Sequence, residues 1–290
     1  MYEKILVPLD GSELAEQAIP YVERIAKKLH SEVILITVCL PDDPLERALK
    51  EYIERRAEKI RSLGIKTRLV CIEGEPAASI IDFAGKNDVN LIVISTHGRT
   101  GVSHWPLGSI TNKVVQKSHI PVLLVRSSHP GKANADKELR KILVALDGSH
   151  FSEAIIPYVE KLAKGMGSTV TLLRVIEPVK LPQLAAYRER EKFEKEYMAK
   201  LEREAERYLD KKKAALTGKG IKTNAAMLEG KPDETIFQYA EDKSANLIAL
   251  TTHGFSGITK WAYGSVASRI IEGSPKPVLL VRPLLPASET

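Results

Sequence analysis

Three segments of this chain occur twice. Residues 4–12, KILVPLDGS, return as 141–149, KILVALDGS; 91–98, LIVISTHG, return as 247–254, LIALTTHG; and 121–126, PVLLVR, return unchanged at 277–282. A period this long is not that of a solenoid, because each copy is large enough to bury its own core. The 290 residues therefore divide into two copies of one domain of ordinary size. We expect the first at 1–127, a linker of small and polar residues at 128–138, and the second at 139–290.

Within a copy, short apolar runs alternate with segments of helical period. In the first copy the runs are 5–9, 33–40, 67–72, 91–95 and 122–125. After Asp10-Gly11-Ser12 the apolar residues Leu14, Ala18, Tyr21, Val22, Ile25, Ala26 and Leu29 recur every three or four positions, with Ser12 as N-cap. Further helices are expected at 44–62, 76–86 and 109–118. Strands that alternate with helices imply parallel pairing through right-handed crossovers, and unbroken apolar strands imply helices on both faces. The expected fold class is α/β: two tandem, doubly wound, five-stranded parallel-sheet domains.

The copies differ in one place. Val38 matches Val175, but Gly64 matches Gly220, so 19 extra residues follow the second strand of the second copy. They predict a long helix over 184–216, with Phe193, Tyr197, Leu201, Ala205 and Tyr208 as one apolar stripe and Glu, Lys and Arg elsewhere.

Composition removes several function classes. No apolar run is long enough to span a bilayer, and no basic-then-apolar leader opens the chain, so no membrane role and a cytoplasmic location are expected. The net charge of +6 is spread among acids, and the 6% of aromatic residues never alternate with basic ones, so nucleic acid is not an expected partner. Cys39 and Cys71 stand alone within apolar strands and read as small buried hydrophobes.

In an open parallel sheet, ligands bind at the carboxyl ends of strands where the winding reverses. The first strand ends there at Asp10 and the fourth at Ser95-Thr96-His97-Gly98. Nine residues later, Gly108-Ser109 opens a helix. Gly98 and Gly108 allow close approach of backbone to a ligand, and the unpaired N–H groups at the helix start favour an anion. Ser109 and Thr111 add hydroxyls. The second copy repeats the pattern with Asp147, Thr251, His253, Gly254, Gly264 and Ser265. By spacing alone a phosphate site and a structural tight turn stand about level; this is no Walker loop, for it lacks Gly-Lys-Ser/Thr. His97 and His253 lack a paired carboxylate or a serine nucleophile at suggestive spacing and read as residues that shape the loop or touch phosphate.

Pro8-Leu9-Asp10-Gly11-Ser12, then Thr96-His97-Gly98, nine residues, Gly108-Ser109 and a closing Pro-Val-Leu-Leu-Val strand together resemble the universal stress protein family, twice over and across nearly the whole chain. The resemblance implies an adenine-nucleotide alpha-hydrolase-like fold whose two copies pair through their last strands about a pseudo-twofold axis, an intramolecular pseudo-dimer with a further homodimer allowed. Members that bind ATP carry Gly-x-x-Gly, nine residues, Gly-Ser/Thr; Ser95 and Thr251 replace the first glycine in this chain. Carried over, Asp10 meets the ribose, the Val38 backbone meets adenine, and Gly98, Gly108, Ser109 and Thr111 hold phosphates, with Pro8, Ser95, His97 and Ile110 beside them. The second set is Asp147, Val175, Thr251, His253, Gly254, Gly264, Ser265 and Val266. Ala267 replaces Thr111 there, so the second site is expected to be the weaker. Asp10 could also hold Mg²⁺.

The expected function is a cytoplasmic stress-response protein that binds ATP or AMP as a regulator, with at most weak ATP hydrolysis. Two alternatives stay open: a slow nucleotide hydrolase or nucleotidyl transferase using His97, Arg99 and Asp10, and a nucleotide-free dimerising scaffold.

Overall fold

The computed structural model describes residues 1–39, 46–98, 107–127, 138–178, 190–254 and 263–283. The first copy runs β1 (Lys4–Pro8), α1 (Glu13–Glu16), α2 (Ile19–Leu29), β2 (Glu32–Cys39), α3 (Glu46–Ser62), β3 (Thr67–Glu73), α4 (Pro76–Lys86), β4 (Leu91–Ser95), α5 (Ser109–Lys117) and β5 (Val122–Val125). The second runs β6 (Lys141–Ala145), α6 (His150–Glu153), α7 (Ile156–Met166), β7 (Thr169–Ile176), α8 (Arg190–Thr217), β8 (Thr223–Glu229), α9 (Pro232–Asp242), β9 (Leu247–Thr251), α10 (Ser265–Gly273) and β10 (Val278–Val281).

The ten strands among the described residues form one sheet in the order β3-β2-β1-β4-β5-β10-β9-β6-β7-β8. Each copy is parallel and doubly wound, and its chain reverses direction across the sheet between β1 and β4. The copies meet where β5 and β10 pair antiparallel, with Leu123 opposite Leu279. All eight residues of these two strands are buried. An apolar strand left at a sheet edge would expose its ladder of polar groups, and the other copy's last strand covers it. Arg126 and Arg282 restate the twofold relation: Arg126 Nη1 donates to Glu272 O at 3.1 Å, and Arg282 Nη1 to Gln116 O at 2.8 Å.

The strand pleat sends alternate side chains to opposite faces. Ile5, Val7, Val33 and Leu35 pack with residues of α2 and α3, whereas Leu6, Ile34 and Ile36 pack with α4 and α5. Both apolar layers run through both copies. Burying each such side chain is worth roughly 1.5–3 kcal/mol relative to leaving it in water.

One expectation about the helices needs correction. The helix after Ser12 is broken into α1 and α2 at Gln17–Ala18, and the second copy breaks likewise between α6 and α7. Pro20 and Pro157 are the physical cause: each lacks an N–H and begins a helix far better than it continues one. Ser12 still caps α1, its Oγ accepting from Ala15 N at 3.1 Å. In the long helix, Ala205, Leu209 and Leu216 are buried, but Phe193 and Tyr197 are 55% and 39% exposed and stack on each other. Only the C-terminal half of α8 packs on the sheet, so the stripe does not stay buried along its length. Residues 184–189 lie outside the described residues, as do 40–45 and 128–137. Cys39 is buried and Cys71 half-buried, both as free thiols.

Candidate nucleotide site

Each copy has a cavity at the carboxyl ends of its strands, of about 450 Å³ in the first and about 420 Å³ in the second. Pro8, Asp10, Val38, Ser95, His97, Gly98, Gly108, Ser109, Ile110 and Thr111 all line the first. Asp147, Val175, Thr251, Gly254, Gly264, Ser265 and Val266 line the second. His253 is buried but is absent from that lining. Residues 99–106 and 255–262, which hold Arg99, Trp105 and Trp261, lie outside the described residues.

The carboxylate of Asp10 is positioned by its own turn. Gly11 takes φ +87°, a left-handed conformation that favours glycine, and brings Ser12 back toward it. Ser12 N and Oγ then donate to Asp10 Oδ1 at 3.0 and 2.6 Å. Gly148 and Ser149 repeat this at Asp147, with Ser149 N donating at 2.8 Å.

Gly98 serves this carboxylate. A Cβ at Gly98 would collide with Asp10 Oδ2, and one at Gly254 with Asp147 Oδ2. The first loop glycine thus admits a neighbouring side chain, where the sequence suggested room for a ligand. Gly108 also has a structural duty: its N–H donates to Thr96 O at 2.8 Å, as Gly264 N does to Thr252 O. The anion-facing donors begin one residue later. Asn112 N returns to Gly108 O, and the amides of Ser109, Ile110 and Thr111, in the first turn of α5, have no partner among the described residues.

Three hydroxyls assigned to the ligand side turn inward. Ser95 Oγ donates to His97 O at 2.7 Å, and Thr251 Oγ1 does the same to His253 O. Each takes the space of the missing first glycine and closes the turn with its own hydrogen. Thr111 Oγ1 donates to Ser95 O at 2.8 Å, so its proton braces β4 against α5. His97 is 3% exposed, with Nδ1 3.1 Å from Thr96 Oγ1.

Several lining residues were not singled out from the sequence. Ile36, Ile80 and Ile94 make an apolar wall, matched by Leu173, Ile236 and Leu250. Glu75 and Lys113 form a 2.9 Å ion pair at the first cavity, where the Ala78 N–H and then Lys113 hold the Glu75 carboxyl below its usual range. In the second cavity the lining acids are Asp147 and Glu177, and among the described residues no lysine or arginine joins them; Arg269 is held by Asp233 at 3.1 Å. Ser127 was missed as well. Its Oγ accepts from His97 N at 3.1 Å and its N donates to Thr96 Oγ1 at 2.9 Å. The equivalent position is Pro283, which has neither donor. That comparison between copies was available in the sequence; the contact was not.

The model of the universal stress protein family matches residues 1–126 and again 138–282. The chain belongs to the universal stress protein family. Among its relatives, Universal stress protein MJ0531 of Methanocaldococcus jannaschii is 33% identical over 141 residues, 43% of this chain and 83% of that protein. A universal stress protein of Mycolicibacterium smegmatis is 24% identical over 300 residues, 96% of this chain and 97% of its own, so the tandem arrangement has a full-length counterpart. The crystal structure of a universal stress protein from Archaeoglobus fulgidus superposes with a TM-score of 0.68 over 97% of this chain and 99% of that one, at 21% identity. At that identity the likeness speaks for the fold. No helix among the described residues of this family member is long and apolar enough to cross a membrane, and no three His, Cys, Asp or Glu side chains gather there as a metal cluster.

Proposed function

We propose that this universal stress protein binds an adenine nucleotide, ATP or AMP, as a cytoplasmic regulator of a stress response, with the first copy as its principal site. One observation carries the reading: the first cavity joins an apolar wall, a fixed carboxylate and three helix-start amides that have no partner among the described residues, in a space of about 450 Å³. That volume lies within the usual range for small-molecule pockets. A base fits against Ile36, Val38 and Ile80, a ribose hydroxyl against Asp10, and phosphate oxygens against the amides of Ser109, Ile110 and Thr111. Asp10 offers one carboxylate, enough for a single position of a Mg²⁺ whose other ligands are phosphate and water.

The copies differ in ways that favour the first. In the first, the lining acid Glu75 is neutralised by Lys113, and Ser127 stands behind the loop; in the second, Glu177 lines the cavity with no lining lysine or arginine among the described residues, and Pro283 stands behind. A carboxylate near a polyphosphate costs binding energy, and a lysine adds to it. Regulation fits better than turnover. His97 is buried with its Nδ1 against Thr96 Oγ1, a hydroxyl rather than a carboxylate that would make the ring a stronger base.

The test is the nucleotide content of freshly purified, denatured protein, followed by calorimetry of stripped protein with ATP and Mg²⁺. Bound or titratable ATP or AMP, lost in Gly98→Val and largely kept in Gly254→Val, is the expected result. No nucleotide and no heat at millimolar ATP would leave the dimerising scaffold as the better account.

A further inference from the structure

Among the described residues, the seam between the copies follows the pseudo-twofold in its backbone and arginine hydrogen bonds and departs from it at Tyr263. On one side, Thr252 N donates to Val281 O and Arg282 Nη1 to Gln116 O, at 2.9 and 2.8 Å. Gln116 Nε2 then donates to Asn112 Oδ1 at 3.1 Å, and Tyr263 OH reaches both Asn112 O and Asn112 Oδ1 at 3.2 Å. Gly264, next to Tyr263, returns to Thr252 O at 2.8 Å. The links form a closed ring that begins and ends in the loop of the second candidate site and passes through α5, the helix whose amides face the first.

The other side repeats the backbone and arginine steps and reverses the side-chain one. Thr96 N donates to Val125 O, Arg126 Nη1 to Glu272 O, Ser268 Oγ to Glu272 Oε1, and Gly108 N to Thr96 O. The ring stays open because Leu107 stands where Tyr263 closes it. Ser268 and Glu272 also stand where Asn112 and Gln116 do, and the tie across the seam is made from Tyr263 alone among the described residues.

We propose that Tyr263 is a positioning residue through which the second site acts on the first: it ties the segment that opens α10 to the first turn of α5, so a ligand at either site changes affinity at the other. The inference rests on the nucleotide reading above. A phosphate drawn to the amides of Ser265 and Val266 pulls on the turn that Tyr263 begins. Asn112 immediately follows Thr111, whose amide faces the first cavity. The two-state element is the phenol, bonded to Asn112 or released to water. Burial pushes its pKa up, so it remains a donor through the physiological range. Linkage makes the effect equal in both directions, although only one tyrosine carries it.

The experiment is calorimetric titration of the stripped full chain with ATP and Mg²⁺, in the wild type and in Gly98→Val and Gly254→Val to isolate each site. The same three proteins are made with Tyr263→Phe and with Tyr263→Leu, the latter copying Leu107. In the wild type, occupancy of one site is expected to change the Kd of the other about fivefold, the scale of one neutral hydrogen bond. With either Tyr263 variant the sites become independent within error, while the thermal midpoint shows that the protein remains folded. Independent sites in the wild type, or an interaction unchanged by Tyr263→Phe, would overturn the proposal and leave nucleotide binding standing. Absence of heat at either site in the wild type would overturn both.

Discussion

Replacing Gly98 by alanine tests the claim that this glycine exists for Asp10. Gly98 is not among the glycines at positive φ, so alanine brings no left-handed strain, and the three atoms nearest its Cβ all belong to the Asp10 carboxylate. That carboxylate is held by Ser12 N and Ser12 Oγ, so it can move aside only by giving up charge-assisted hydrogen bonds worth about 1.5–3 kcal/mol each. Partial loss of the pair, with some relaxation, sets the cost of Gly98→Ala at roughly 2–4 kcal/mol. In an Asp10→Ala background the obstacle is gone, and the same substitution should cost less than about 1 kcal/mol. Urea unfolding of the four proteins gives the cycle, with an interaction energy of about 2 kcal/mol expected between the two sites. Equal costs in both backgrounds would refute the reasoning and return Gly98 to a purely backbone role.

Ser127→Ala leaves the buried His97 N–H without its acceptor, for a loss of about 1–3 kcal/mol and weaker nucleotide binding in the first copy alone; thermal unfolding with titration of both sites reads it, and undisturbed binding would count against a bracing role. The Glu75–Lys113 bridge carries a pH dependence. Because the folded carboxyl titrates below its usual value of 4.5, any stabilisation it gives is complete above that value and lost as pH falls through the lowered one. Carboxyl chemical shifts of Glu75 followed from neutral pH into acid should show the depressed midpoint, which Lys113→Met should raise; an unmoved midpoint would deny the bridge in solution.

Much of the architecture was legible because it repeats. Strand segments buried on both faces are nearly continuous apolar runs, and two copies of each run left little choice of element or order. Helix ends were less legible. Pro20 and Pro157 are plain in the sequence, yet the 3.6-residue period around them continues, and only backbone hydrogen bonding shows that α1 and α2 are separate helices. The α8 stripe shows the same limit: periodicity tells which residues share a face but not how far the sheet extends beneath it, and Phe193 and Tyr197 are exposed where Ala205 and Leu209 are buried. The predicted site residues other than His253 line two cavities, but the direction of each polar atom was not readable. Ser95, Thr111 and Gly108 spend their hydrogens on neighbouring carbonyls.

The sequence by itself determined the family, the two copies, the parallel strands and the strand-end positions from which a ligand could be held. All of these follow from local apolar patterning and short motifs, which a linear chain displays. The tertiary structure alone decided which donors remain free, that Gly98 makes room for Asp10, that Ser127 stands behind His97, and that Tyr263 closes a ring Leu107 leaves open. Each depends on the direction of a hydrogen bond or the reach of one side chain between segments far apart in the chain, and packing sets that geometry.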